Sequence, residues 1–189
     1  SAYETIALKT RGTDVPVVRA TWFFSQTAIS WQRDPNYYTF TGIKDLKSYE
    51  QVIGFIRKGQ SPGFLRDVRA AIGRSGVATP DTLRRIIRFQ APAGGYWATE
   101  DSDQRLAKDK TKSNPLVNLG DDYEFQAIEA IGYGPNGFPK TGLFDANGKI
   151  QDRAPDNIAG DKHGVANDHR IHINLSCTGC HTKGYLQDV

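Results

Sequence analysis

Cys177-Thr178-Gly179-Cys180-His181 is the stretch of this chain whose residue types and spacing name a chemistry. Two thiols three positions apart, with an imidazole directly after the second, form a Cys-x-x-Cys-His run, the pattern of a c-type haem attachment site. Each thiol can bond to a porphyrin vinyl group as a thioether, and the adjacent imidazole can reach the iron as proximal ligand. The run lies near the end of the 189 residues, so almost everything that could wall a haem pocket precedes it. Both cysteines lie inside the run, which leaves none for a structural disulfide. Scarce cysteine ordinarily reads as a reducing compartment. Covalent haem attachment in bacteria takes place outside the inner membrane, so the expectation here is a periplasmic or extracellular location.

With His181 on one side of the iron, the far side needs an account. The chain has no methionine, which removes the His/Met pairing that raises haem potential and points to a lower potential or an open site. The other histidines are His163, His169 and His172, all in the approach to the run. His172 is five residues before Cys177 and would need a sharp reversal to cross the ring, whereas His163 has more chain to spare and is the expected distal ligand. Tyr96, Tyr133, Tyr185 and several lysines are chemically able to ligate as well. Trp22, Tyr96 and Trp97 are expected to pack on the macrocycle, the competing reading being ordinary aromatic core.

Other uses of the same residues are narrower. His169, His172, Cys177 and Cys180 supply the imidazoles and thiolates of a tetrahedral zinc site, which leaves the abutting His181 unused. A thioredoxin-like dithiol needs a βαβ unit continuing after it, and nine residues follow Cys180. Asp145-Ala146-Asn147-Gly148 has the start of a calcium loop without its closing glutamate, and reads as a tight turn.

The elements that must position the run read as α+β: a helical N-terminal half, a small antiparallel sheet, and the haem attachment segment at the C-terminus. One domain over 1–189 is expected from the length. Val15 to Phe24 is β-branched and aromatic and reads as extended. Leu46, Tyr49, Ile53 and Ile56 recur at helical spacing and predict a helix over about 45–58. Ser61-Pro62 and Thr79-Pro80 look like two further helix starts, the first helix ending at Gly73 and the second carrying Leu83, Ile86 and Ile87 inward. Residues 100–122 read as a polar surface excursion, followed by strands near 123–131 and 142–144. The net charge of +3, from 24 basic and 21 acidic residues, is too weak to imply nucleic acid, and two haem propionates would lower it to about +1. Residues 57–88 concentrate Arg57, Lys58, Arg66, Arg69, Arg74, Arg84, Arg85 and Arg88 against Asp67 and Asp81, which reads as a solvated helix face or as a docking or propionate-binding patch. No apolar run has membrane-spanning length. Ser1-Ala2-Tyr3 opens without signal-peptide character, as a mature secreted form or a piece of a longer chain would.

Pro16-Val17-Val18-Arg19-Ala20-x-Trp22-Phe23, Gly95-Tyr96-Trp97, Pro135-Asn136-Gly137-Phe138 and the stretch from Asp145 to Pro155 resemble a group of largely uncharacterised bacterial secreted haem c proteins. There too the attachment motif follows, preceded by an Asn near the position of Asn174. The resemblance covers about Pro16 to His181 and implies a haem c domain; members often continue past the motif, which implies a natural chain longer than Val189. Cytochromes c′ share the late motif, but the Gly- and Pro-rich second half argues against a four-helix bundle. Cytochromes P460 fit the strands better and would imply five-coordinate iron and a lysine cross-link, for which no lysine here is matched. Class I cytochromes c carry the motif early and a Met late, and this chain does neither. The expected function is a monohaem electron carrier rather than an enzyme, serving redox partner proteins, alone or as a subunit of a larger complex. An open-site haem protein acting on peroxide or a small gas is the alternative, and a zinc-stabilised interaction module the third reading.

Overall fold

The computed structural model describes residues 36–56, 67–135, 137 and 139–180. Among them, five antiparallel strands in up-and-down order carry the fold: β1 (Val68–Ile72), β2 (Thr82–Ala91), β3 (Gly94–Asp103), β4 (Ala127–Tyr133) and β5 (Pro139–Asp145). Two short helices come before them, α1 (Asn36–Thr41) and α2 (Leu46–Val52), and a single helical turn, α3 (Cys177–Cys180), closes the described chain. Asp45 starts α2 with a capping box: its carboxylate accepts the Ser48 N–H at 2.7 Å and the Ser48 hydroxyl accepts the Asp45 N–H at 2.9 Å.

The helical N-terminal half is overturned. The predicted helix over 45–58 survives only as α2, and its tail beyond residue 56 lies outside the described residues, as does the extended segment 15–24. The described part of the second expected helix is β1, and the third is β2. The error has a physical origin in Arg84-Arg85-Ile86-Ile87-Arg88. A strand with one wet face alternates polar and apolar residues, but β2 puts an arginine on each of its two faces, each with a carboxylate on β3. Arg84 is opposite Asp101, Arg85 is opposite Glu100, and all four are buried. Doubled charges followed by doubled isoleucines mimic a helical period.

The same pairs dissolve the expected basic patch. Arg69 bonds Asp67 and Asp121, and Arg88 lies 5.4 Å from the centre of the Trp97 ring. Arg57, Lys58 and Arg66 lie outside the described residues. The surface excursion starts later than expected, after β3 ends at Asp103, and the strand expected near 123–131 is β4, which ends at Tyr133. The turn at 145–148 closes as predicted, with the Gly148 N–H on the Asp145 carbonyl at 2.9 Å and Gly148 at φ +79°.

One sheet face is covered by α1 and α2. Tyr49 packs on Tyr96 and Phe144, and Phe55 packs on Phe89 and Tyr96. The close approach of α2 needs bare backbone beneath it. A Cβ on Gly142 would run into the Phe144 ring, and one on Gly132 would come within 3.2 Å of the Tyr49 hydroxyl.

β5 is an edge strand, and two adjacent phenols serve its outer backbone. The Tyr37 hydroxyl accepts the Thr141 N–H (2.9 Å) and donates to the Thr141 carbonyl (2.7 Å). The Tyr38 hydroxyl accepts the Leu143 N–H (3.0 Å) and lies 2.8 Å from the Gln151 carbonyl and 3.2 Å from that of Leu143, with one proton for the two. Both rings are buried, and burial pushes the Tyr37 hydroxyl up to about 12. Replacing Tyr37 by Phe strands the Thr141 N–H and C=O away from water. The expected loss is about 1–3 kcal/mol in urea unfolding; a loss below about 0.5 kcal/mol would show that water serves the edge as well as the phenol does.

Candidate functional site

The chain from 151 to 180 folds back over β4 and β5 and delivers the two thiols. Residues 152–154 run against 171–173, with Ala154 N–H on the Ile171 carbonyl and Ile173 N–H on the Asp152 carbonyl. Ser176 ties the turn together: its hydroxyl accepts the His172 N–H (3.1 Å) and donates to the Arg170 carbonyl (2.9 Å), while its carbonyl takes the Gly179 N–H (3.1 Å). Asn174, fully buried and at φ +62°, accepts the Thr141 hydroxyl through its side-chain oxygen. Asn tolerates this left-handed conformation better than most residues. The segment before the thiols is therefore bonded to the same residue of β5 that Tyr37 holds.

At 3.6 residues per turn, Cys177 and Cys180 are about 60° apart on one face of α3, and Gly179 faces about 100–160° away from them. Neither cysteine is in a disulfide, and Cys177 is half-buried and Cys180 exposed. Both line a cavity of about 230 Å³. Its walls are largely aliphatic, with Ala127, Leu143, Ala154, Ile158 and Ile171 among them, and Arg84, Asp101 and Glu129 form a charged floor from the sheet. The 155–159 wall is anchored through Asn157, whose amide donates to Asp103 at 3.0 Å.

The predicted site residues are only partly brought together. Cys177 and Cys180 share the cavity; His181 and Trp22 lie outside the described residues. Tyr96 lies in the aromatic core under α2 with its hydroxyl on Glu50, and Trp97 lies on the other sheet face beside Arg88; neither lines the cavity. His163 is exposed and rests against the back of α3, where a Cβ built on Gly179 would be 3.0 Å from its Cβ. That is the side turned away from the thiols. His172 is buried with Nε2 at 2.9 Å from both carboxylate oxygens of Asp168 and Nδ1 without a hydrogen-bond partner, and it does not line the cavity. His169, at φ +56°, faces Gly164. No three His, Cys, Asp or Glu side chains gather as metal ligands among the described residues, so His169, His172, Cys177 and Cys180 do not form the zinc set.

Does the arrangement fit a haem c? The donor chemistry does: two thiols outside any disulfide, three residues apart, on one face, opening on an apolar cavity. The size bounds how far. A dry cavity of roughly 150 Å³ takes one benzene ring, so this one has room for the vinyl-bearing edge of a porphyrin and not for the whole ring. In the floor, Arg84 donates to Asp101 through Nε (2.6 Å) and Nη2 (2.9 Å), with Glu129 at 3.5 Å. Burial lifts the Asp101 carboxyl above the usual carboxylate range, the bonds from Arg84 pull it back, and the Glu129 charge pushes it up again.

Sequence reading missed this floor, because Arg84 looked like a solvated charge and Asp101 like the start of a loop. It also missed Tyr37 and Thr141, whose roles lie in one hydroxyl bridge and one edge strand. No family model, curated protein or solved structure matches the chain.

Two outcomes are expected. Gly179→Val inserts a side chain where Val165 and His163 already stand, at 2.8 and 3.0 Å from the first added carbon. It should leave the sheet's unfolding transition in place while changing the alkylation rate of Cys177 and Cys180 several-fold, read by mass spectrometry. The second concerns Asp103, which takes bonds from Arg105 and Asn157 that hold its carboxyl well below the usual carboxylate range. A depressed folded value stabilises above the unfolded pKa of about 3.9 and is lost as pH falls through the folded value. Asp103→Asn should therefore cost stability at neutral pH and flatten the acid limb of the unfolding curve, measured by urea titration across acid pH.

Proposed function

We propose that this chain is a monohaem c-type cytochrome that passes single electrons between protein partners outside the cytoplasm. The observation that carries the reading is the pair of cysteine thiols, neither in a disulfide, on one face of one helical turn, both opening on one apolar cavity. Cys177 and Cys180 would hold the porphyrin edge as thioethers, and His181, next in sequence, would supply the axial imidazole. Bound haem supplies the one-electron ferric–ferrous couple. The rest is the protein's work. Ala127, Leu143, Ala154, Ile158 and Ile171 keep water from the attachment edge. Ser176 and Asn174 fix the direction in which the thiols point. No helix among the described residues is long and apolar enough to cross a membrane.

The placement of two histidines favours a second reading. His163 rests behind α3 and His172 is bound to Asp168, so neither stands ready to ligate from the thiol side. An iron whose far position is open would bind carbon monoxide or cyanide and could meet peroxide.

Protein made with a working cytochrome c maturation system should gain the mass of one haem that survives denaturation and show the reduced-minus-oxidised bands of haem c. Cys177→Ala or Cys180→Ala alone should leave a single thioether, and the double variant none. Apoprotein from that system would refute the reading. A spectrum that shifts with carbon monoxide or cyanide would select the open site, and an indifferent one the electron carrier.

A further inference from the structure

The charged floor of the cavity has a composition that the attachment chemistry does not require. Arg84 on β2, Asp101 on β3 and Glu129 on β4 all face the space that Cys177 and Cys180 line. Their side chains are 11%, 5% and 27% exposed. Arg84 is fully engaged: Asp101 holds its Nε and Nη2, the Ser75 hydroxyl lies 3.0 Å from Nη1, and Glu129 reaches Nη2 only at 3.5 Å. One guanidinium thus serves two carboxylates, and the cluster carries one uncompensated negative charge when both are ionised. Two other kinds of ionisable group face it: the Arg153 guanidinium at the cavity wall, which is exposed to solvent, and the two thiols themselves. Tyr123, from the end of the excursion, feels the Asp101 charge.

A negative pair beside a centre that gains an electron must respond. With an effective dielectric of about 20, a unit charge roughly 10 Å away alters proton affinity by on the order of tenfold. We propose that the Asp101–Glu129 pair is a redox-linked proton site: it takes one proton from solvent as a haem held by Cys177 and Cys180 takes one electron from a one-electron donor protein, and returns it when the electron leaves. The proton bonds to a carboxylate oxygen of the pair, the iron goes from ferric to ferrous, and the net charge of the cavity is unchanged. The proton belongs to the pair and not to one residue, because the two carboxylates share Arg84. Glu129 is the more accessible entry point. Burial raises the Asp101 carboxyl above the usual carboxylate range, against the pull of the bonds from Arg84.

This inference rests on the haem reading, and its test separates the two. Holoprotein of the full chain is titrated potentiometrically with redox mediators between about pH 4 and pH 8, its covalent haem first verified by mass. Reduction raises the proton affinity of the pair, so the midpoint potential should fall with rising pH, by up to about 59 mV per unit, the one-electron equivalent of a tenfold change. Glu129→Gln and Asp101→Asn should each shrink that slope severalfold. Should Asp101→Asn fail to fold for want of its buried ion pair, Glu129→Gln at the wetter end of the cluster carries the test. A flat potential in haem-loaded protein overturns the proton site and leaves the cytochrome standing, and a slope that survives Glu129→Gln unchanged assigns the proton to the propionates and does the same. A chain that takes no haem removes both.

Discussion

One phenol accepts the Thr141 N–H and donates to the Thr141 carbonyl; its neighbour serves Leu143, and these two residues present the free backbone of an edge strand. An edge left open invites pairing with other chains, and a sixth strand would close it. Here the tips of Tyr37 and Tyr38 close it, together with the Gln151 N–H on the Leu143 carbonyl, and because the two phenols belong to α1 they hold that helix to the sheet as well. The Thr141 side chain then reaches the other way, to Asn174, three residues before the first thiol. Helix, sheet edge and attachment segment therefore meet at a single residue, and the direction of the thiols depends on that edge being capped by side chains and not by another strand.

The second organising element is the arginine pair of β2. Buried ion pairs contribute little net stability, but losing one partner is costly, since it leaves a charge in a dry place. Arg84 and Arg85 are adjacent and so point to opposite faces, one toward the cavity and one toward the side that α2 covers. Asp101 and Glu100 answer them in register. A one-residue slip of β2 on β3 would turn both arginines to the wrong face. The pairs thus specify register, and on the cavity side the register leaves a charged floor under an aliphatic wall.

Local signals in the chain were legible where they were self-sufficient. The amphipathic spacing of α2 and the turn at Asp145 to Gly148 need only neighbours in sequence, and both are present. The motif residues Cys177 and Cys180 were equally plain, and so was their need for an apolar neighbourhood. β2 was not legible, because Arg84 and Arg85 are answered by carboxylates 15 or more positions away and its pattern carried no record of which face was wet. The aromatic signals misled in the same manner: Tyr96 and Trp97 are adjacent, so the strand sends one into the core and the other to the opposite face, and neither reaches the cavity.

By itself the sequence determined which atoms are available: two thiols and an imidazole in one short run, no methionine, and no further cysteine to compete. Such facts are covalent and survive any fold. Only tertiary structure decided what those atoms face. The cavity draws its walls from β2, β3, β4, β5 and the returning segment, so its shape comes from contacts between residues far apart in the chain. The commitment of His172 to Asp168 and the placement of His163 behind α3 are likewise set by packing. A side chain's chemistry is written in its own atoms, but its partners are chosen by the fold, and here that choice set two carboxylates and one arginine beneath the thiols.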